Sequence, residues 1–271
     1  MVRKFLTMVV LLSAALAGHA SPGTAGAPFD DLVVFGDSLS DTGNVGRFSD
    51  GPVWVELIAS GIGAELRPSR LGGTNYAVGG ARTHGGQSDL RSQLHAYLTN
   101  AKPLRPETLF VVYGGANDLL VLGCGKNDRN VAKTAAAAIA ASVDDLAAAG
   151  ARTILVPNLP DIGLAPVVRM QGAACREQAR RLSRYFNDAL ERQLRAAEER
   201  HGIRLVRLDV FALGDEVMAH PAKSGFADTD TPCGQGDCQR ALFWDHLHPS
   251  SRAHSQLAAA AMQALGIAGS H

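Results

Sequence analysis

Residues 33–44 read VVFGDSLSDTGN, and the interpretation of the whole chain follows from them. A short apolar run, rich in β-branched residues, leads directly into Gly36, Asp37 and Ser38 and then into a polar loop. This pattern predicts a buried first strand of an α/β sheet, whose carboxyl end faces a ligand-binding crevice. Ser38 is therefore a candidate nucleophile, although Asp-Ser pairs after strands also occur in ordinary turns and caps.

The first 20 residues have the pattern of a secretory signal peptide. Arg3 and Lys4 precede an apolar run at residues 5–16, and small residues follow that run up to Ala20. A membrane anchor is the alternative, but the run is shorter than the ~20 apolar residues that a membrane span needs. We therefore expect cleavage after Ala20 and export to the periplasm or the medium.

The composition favours one folded domain after this signal. The chain has 271 residues, 46% of them hydrophobic, which is enough for one substantial α/β core. Its 26 basic and 26 acidic residues cancel, without a long run of either sign, so nothing indicates nucleic acid or an electrostatic membrane anchor. We expect a flexible leader at residues 21–28 and a single domain at residues 29–271.

Four cysteines fit the prediction of export, because an even number in an oxidising compartment favours disulfides. Cys233 and Cys238 enclose a glycine-containing loop that can close a small ring, which leaves Cys124 to pair with Cys175. A zinc site is the alternative. It is disfavoured because the spacing of the cysteines is unsuited to zinc and no histidine lies at a partner spacing.

Strand and helix patterns alternate along the rest of the chain. Besides the run before Gly36, strands are predicted at residues 74–78, 109–113, 153–156 and 204–208. Helices are predicted at residues 52–62, 86–100, 130–149, 174–201 and 250–265. Continuous apolar strands separated by helices predict a five-stranded parallel sheet covered by helices on both faces.

A serine hydroxyl becomes a good nucleophile only when an oriented base takes its proton, and His248 is the best candidate. Asp245 precedes His248 by three residues, a spacing that lets both side chains share one face of a turn. His246 would point elsewhere and is the weaker candidate. On its own, Asp-x-x-His in a polar loop could also be only a hydrogen-bonded turn.

Acyl transfer also needs hydrogen-bond donors for the negative oxygen of its transition state. Gly80 follows a predicted strand, so its backbone N–H can be approached closely. Asn117 follows another predicted strand, and its amide is a second candidate donor. The alternatives are an ordinary turn at Gly80 and a helix cap at Asn117.

Four segments together resemble the blocks of the GDSL, or SGNH, hydrolase family. They are residues 35–44, 75–81, 114–118 and 245–249, and they occur in the order that the family has. The resemblance extends over about residues 30–265. It implies a flavodoxin-like three-layer α/β/α sandwich with five parallel strands, and a serine esterase or lipase.

By residue, the resemblance implies Ser38 as the nucleophile, His248 as its base and Asp245 behind the base. It implies the Ser38 N–H, Gly80 and Asn117 as the oxyanion donors. A shift of one residue, to Gly79, stays open. It implies neither a cofactor nor a metal.

Residues 46–54 and 243–245 resemble one branch of this family. The branch contains secreted bacterial phospholipases and acyltransferases, among them thermolabile haemolysins, glycerophospholipid:cholesterol acyltransferases and lysophospholipases, and it also resembles the passenger domains of autotransporter esterases. This implies an ester or lipid substrate met at a membrane surface, with water or an alcohol as acceptor. We expect a monomer that binds no nucleic acid.

Three other functions were weighed. A short-chain or carbohydrate-deacetylating esterase would carry the same four blocks, because they define the reaction and not the acyl chain. A nucleotide-binding module would need a phosphate-binding glycine-rich loop after the first strand, and the sequence has none there. A non-catalytic binding domain remains possible on any fold, but Ser38, Asp245 and His248 are intact.

Overall fold

The computed structural model describes residues 28–100, 103–126 and 128–267. The predicted signal peptide and all of the leader except its last residue lie outside these ranges. The strands are β1 (Asp31–Gly36), β2 (Thr108–Tyr113), β3 (Thr153–Pro157) and β4 (Arg204–Leu208). The helices are α1 (Trp54–Ile62), α2 (Leu90–Asn100), α3 (Ala116–Leu120), α4 (Arg129–Ala148), α5 (Pro166–Arg169), α6 (Ala173–His201), α7 (Val210–Ala219) and α8 (Ser251–Leu265).

The four strands form one parallel sheet in the order β1-β2-β3-β4. Val33 pairs with Phe110, Phe110 with Ile154, and Ile154 with Leu205, so the strands are aligned at one level. Nearly every residue of β1, β2 and β3 is buried. A parallel sheet with helices on both faces requires this, since neither side of a strand reaches water.

The predicted second strand, residues 74–78, is not assigned as a strand, so the sheet has four strands and not five. The segment does lie parallel to β1, where Tyr76 N–H donates to Val34 O at 2.8 Å and Val78 N–H donates to Gly36 O at 3.1 Å. The ladder is interrupted because Gly36 N–H donates to the side chain of Gln93 on α2. The segment is therefore an irregular edge, in the position of a fifth strand.

Side chains of alternating direction divide the core into two layers. Val33 and Phe35 of β1 pack with α2, α4 and α6 on one face. Leu32 and Val34 pack with α1 and α8 on the other. The expected α/β/α sandwich is confirmed. Within the described ranges, no helix is both long and apolar enough to cross a membrane.

The predicted helices are all present, with ends that differ by a few residues. The largest difference is at α2, which begins at Leu90 and not at residue 86, because the side chain of Asp89 accepts backbone N–H groups of Gly86 and Ser92 and forms a turn there. The prediction missed α3, α5 and α7. The first two are a turn or so long, and α7 is apolar on most of its surface, so neither case gives a clear helical periodicity.

Both predicted disulfides, Cys124–Cys175 and Cys233–Cys238, are present, with Cα–Cα distances of 5.1 and 5.3 Å. Cys175 lies in the first turn of α6, within the helix predicted at residues 174–201.

Candidate active site

Ser38 lies in a tight turn directly after β1. Ser40 N–H donates to Asp37 O at 3.0 Å, and Leu39 N–H donates to the Asp37 carboxylate at 3.0 Å, so the turn is fixed on both sides of the serine. The last residue of the strand must be glycine, because a Cβ at Gly36 would lie 2.6 Å from the carbonyl oxygen of Tyr113 on β2. The packing of two strands thus places the serine hydroxyl at the carboxyl edge of the sheet.

His248 and Asp245 lie in the loop before α8. One carboxylate oxygen of Asp245 accepts the backbone N–H groups of Leu247 and His248 at 2.7 and 2.6 Å. The other carboxylate oxygen lies 2.8 Å from His248 Nδ1. The three-residue spacing therefore forms the turn that was predicted, with the carboxylate held by backbone and ring together.

The structure brings Ser38 and His248 together across 210 residues of sequence, with His248 Nε2 at 3.0 Å from Ser38 Oγ. Burial alone would raise the pKa of Asp245, but the hydrogen bonds from the His248 ring and the loop backbone outweigh it and hold the pKa below its usual value. An ionised carboxylate only accepts, so His248 Nδ1 carries the proton and Nε2 accepts from the serine hydroxyl. This is the arrangement that activates a serine.

His246 takes no part in this arrangement. His246 is exposed, and its backbone carbonyl accepts a hydrogen bond from Val167 N–H at 2.8 Å. Because both oxygens of Asp245 are occupied by the turn and by His248, His246 does not share the carboxylate.

The choice between Gly79 and Gly80 depends on which N–H is free. Gly79 N–H donates to the carboxylate of Asp41 at 2.9 Å. Gly80 N–H has no acceptor among the described residues, nor has Ser38 N–H, and Gly80 has a φ of 77°, a left-handed conformation that favours glycine. The free N–H groups are therefore those of Ser38 and Gly80, and the sequence had left the choice between Gly79 and Gly80 open.

Asn117 is the second residue of α3 and not its cap, which is Gly115. One N–H of its amide donates to Ala81 O at 2.8 Å. A carboxamide carries two N–H donors, so this bond orients the group and leaves the second donor available. The neighbouring Asp118 accepts from the backbone N–H and hydroxyl of Thr83, which fastens the loop that follows Gly80.

Two residues of the site were present in the quoted motifs but had no predicted role. Asp41 accepts the N–H groups of Gly43, Asn44 and Val45 besides that of Gly79, so one carboxylate shapes two loops. Phe48 has its ring centroid 5.0 Å from that of His248. A Cβ at Gly79 would clash with the Phe48 ring, so glycine is required there for packing.

Asp37, next to the serine, is a buried acid. Burial is the main cause that raises its pKa to about 7. The hydrogen bond from Leu39 N–H offsets part of this rise, and the nearby charge of Asp118 adds to it. Burial also raises the pKa of Asp118. Two carboxyl groups in this region therefore resist ionisation, for reasons that residue spacing does not reveal.

A cavity of about 270 Å³ opens beside the serine. Ser38, His248 and Asn117 are among its lining residues, and α7, α8 and residues 160–165 form much of the remaining wall. Most of its lining side chains are aliphatic. In the described part of the chain, no cluster of His, Cys, Asp and Glu side chains has the form of a metal site.

Comparisons with known proteins identify the family of the chain. The sequence profile of the GDSL-like lipase/acylhydrolase family matches residues 32–261. Phosphatidylcholine-sterol acyltransferase of Aeromonas hydrophila is 30% identical in an alignment that covers 84% of this chain and 88% of that protein. Thermolabile hemolysin of Vibrio parahaemolyticus is 27% identical in an alignment that covers 84% of this chain and 62% of that protein.

A solved structure from the lipolytic G-D-S-L family of Veillonella parvula has the same fold. Its TM-score is 0.53 at 17% identity, over 86% of this chain and 96% of that one. The matched profile covers the serine turn, both candidate donor loops and the Asp245–His248 turn. The chain therefore belongs to the family of GDSL-like lipases and acylhydrolases, and it is a carboxylic ester hydrolase.

Proposed function

We propose that Ser38, His248 and Asp245 form the catalytic triad of this hydrolase, and that its ester is a lipid. The observation that carries the proposal is the pair of contacts at His248, 3.0 Å to Ser38 Oγ and 2.8 Å to Asp245. A base that is hydrogen-bonded to its nucleophile and oriented by a third group is the requirement for nucleophilic catalysis.

The reaction follows from these contacts. Ser38 Oγ attacks the ester carbonyl while His248 Nε2 takes its proton, and Asp245 stabilises the imidazolium that forms. The oxyanion accepts from the N–H groups of Ser38 and Gly80 and from the amide of Asn117. His248 then returns the proton to the leaving alcohol, and water or another alcohol releases the acyl group from Ser38.

A lipid substrate is supported by two independent observations. The cavity beside Ser38 is lined mainly by aliphatic side chains, which a hydrocarbon chain matches and a sugar does not. The relative from Aeromonas hydrophila carries the name of a phosphatidylcholine-sterol acyltransferase, and it covers most of this chain. Export, the other finer proposal, is supported by the two disulfides, which persist in oxidising compartments.

The triad is tested by labelling with a fluorophosphonate, which reacts with an activated serine. We expect wild type to be labelled once, at Ser38, and the S38A variant not to be labelled. The same variant should lose about 10⁶ in kcat, the loss typical of a triad serine. Labelling of S38A, or a tenth of the wild-type activity in it, would contradict the proposal.

The substrate class is tested by fatty-acid release from phosphatidylcholine and lysophosphatidylcholine against hydrolysis of nitrophenyl acetate. We expect kcat/KM to be higher for the two lipids than for nitrophenyl acetate. Formation of a sterol ester when a sterol is added would show that an alcohol competes with water for the acyl group. A clear preference for the acetate would favour the short-chain alternative.

A further inference from the structure

The apolar side chains of helix α7, apart from two exposed alanines, are only partly buried by the rest of the protein. Its sequence is VFALGDEVMA, and none of its side chains is fully buried. Leu213 and Val217 line the cavity beside Ser38. An apolar helix face beside an empty space forgoes the packing contacts that a filled space would supply, so this face suits an apolar ligand.

The cavity is continuous with the reacting serine. Its walls come from separate elements and share aliphatic character: Leu120, Ile162, Leu164, Leu213, Val217 and Leu257. At about 270 Å³ it is close to the lower end of small-molecule sites, ~300–1,000 Å³.

The helix is held rigidly enough to serve as a wall. Arg180 of α6 makes two bonds to Asp215, at 2.8 and 2.9 Å, and one to the buried Asp161, at 2.6 Å. The guanidinium of Arg180 also lies 4.8 Å from the ring centroid of Phe211. A bidentate pair with stacking fixes geometry as well as charge, so the cavity is preformed.

We propose that this cavity binds the acyl chain of the ester, and that Gly214 on α7 sets the length of chain that it accepts. The proposal rests on the triad proposed above. The acyl chain is the occupant, and not the alcohol, because the alcohol must leave after every turnover, whereas the acyl chain stays covalently attached while water enters. An apolar cavity beside the serine suits the part of the substrate that stays attached.

Gly214 offers a direct way to fill the cavity. It lines the space, its backbone is compatible with any side chain, and a Cβ there would make an ordinary contact of 3.6 Å with Leu164. The variant G214F therefore places a ring in the cavity without backbone strain. The matched control is A212F on the same helix, because Ala212 is exposed and does not line the cavity.

The substrates are two isomers with the same hydrocarbon on opposite sides of the ester, methyl decanoate and decyl acetate, with methyl acetate as reference. For wild type we expect kcat/KM of the methyl esters to rise about fourfold per methylene, the ~0.8 kcal/mol of a buried CH₂, and to level off once the chain is longer than the cavity. G214F should lose at least a hundredfold on methyl decanoate and less than threefold on decyl acetate and methyl acetate. A212F should behave as wild type.

Each other result has a definite meaning. A larger loss on decyl acetate would overturn the proposal, because the cavity would then hold the alcohol. A wild-type kcat/KM that does not change with the chain length of the methyl esters would also overturn the proposal, whether or not G214F folds. If Ser38 is still labelled by the fluorophosphonate in that case, the triad proposal stands. Absence of labelling together with absence of methyl acetate hydrolysis would instead refute the triad proposal itself.

Discussion

Helix α6 precedes strand β4 and helix α7 follows it. The more polar of the two helices, α6, has the larger number of buried side chains. α6 is rich in charged residues, yet nine of its side chains are buried, among them Leu182, Phe186 and Leu190. α7 is mostly apolar, yet it has no fully buried side chain. What each helix faces explains the difference: α6 lies along α4 against the sheet, whereas α7 faces the cavity beside Ser38.

The comparison teaches that the two regions have different tasks. Close packing under α6 contributes stability, because each buried aliphatic group removes apolar surface from water. The region of α7 and the Asp245–His248 turn leaves space for a substrate and keeps polar groups poised. Changes on the α6 side should therefore affect unfolding, and changes on the other side should affect turnover.

The sharpest division is expected at His248. The H248A variant removes the base, so kcat should fall by about 10⁶, as for other triad histidines, while the melting temperature changes by only a few degrees. The control is H246A, an exposed neighbour, which should keep most of its activity. Equal losses in the two variants would contradict the assignment of the base.

The same substitution on each helix compares the two regions directly. L190A should lower the free energy of unfolding by about 2–5 kcal/mol, since Leu190 is 2% exposed in the close-packed core. L213A should cost under about 1 kcal/mol, because Leu213 already borders a cavity. Urea unfolding measures both. Similar costs would show that α7 packs as α6 does.

Asn117 tests the oxyanion donors. N117A should lower kcat by about 10²–10³, or roughly 3–4 kcal/mol of transition-state stabilisation, with little change in KM. The loss of the bond to Ala81 should cost about 1 kcal/mol of stability. An unchanged kcat with a lower melting temperature would give Asn117 a structural role only.

The smallest effect concerns Asp37 and is seen only as pH is varied. Its pKa of about 7 lies above the ordinary 3.8, so between these values the folded protein binds more protons than the unfolded chain. Stability should therefore decline as pH rises from about 4 to 7, by up to about 1.4 kcal/mol per pH unit from this group, and then level off.

The D37N variant lacks this titration. Between pH 5 and pH 7 the free energy of unfolding of D37N should rise by roughly 2–3 kcal/mol relative to that of wild type, because only wild type loses stability over this range. Melting or urea curves at these two pH values measure the difference. A constant difference would mean that Asp37 titrates normally.

The sequence alone determined those features that depend on neighbours in the chain. The apolar runs of β1, β2 and β3 were predicted because a strand buried on both faces must be continuously apolar. The Asp245–His248 turn was predicted because both groups lie within three residues of each other. The disulfide pairs followed from the short Cys233–Cys238 ring and the elimination that it allowed.

Tertiary structure decided what depends on distant contacts. The edge segment at residues 74–78 is not a regular strand because Gly36 N–H donates to the side chain of Gln93 on helix α2. Gly80 rather than Gly79 has the free N–H, because the N–H of Gly79 donates to the carboxylate of Asp41. Asp41 lies 38 residues earlier in the chain. The apolar pattern of α7 could not reveal a cavity, since hydropathy records which side chains avoid water and not what they face instead.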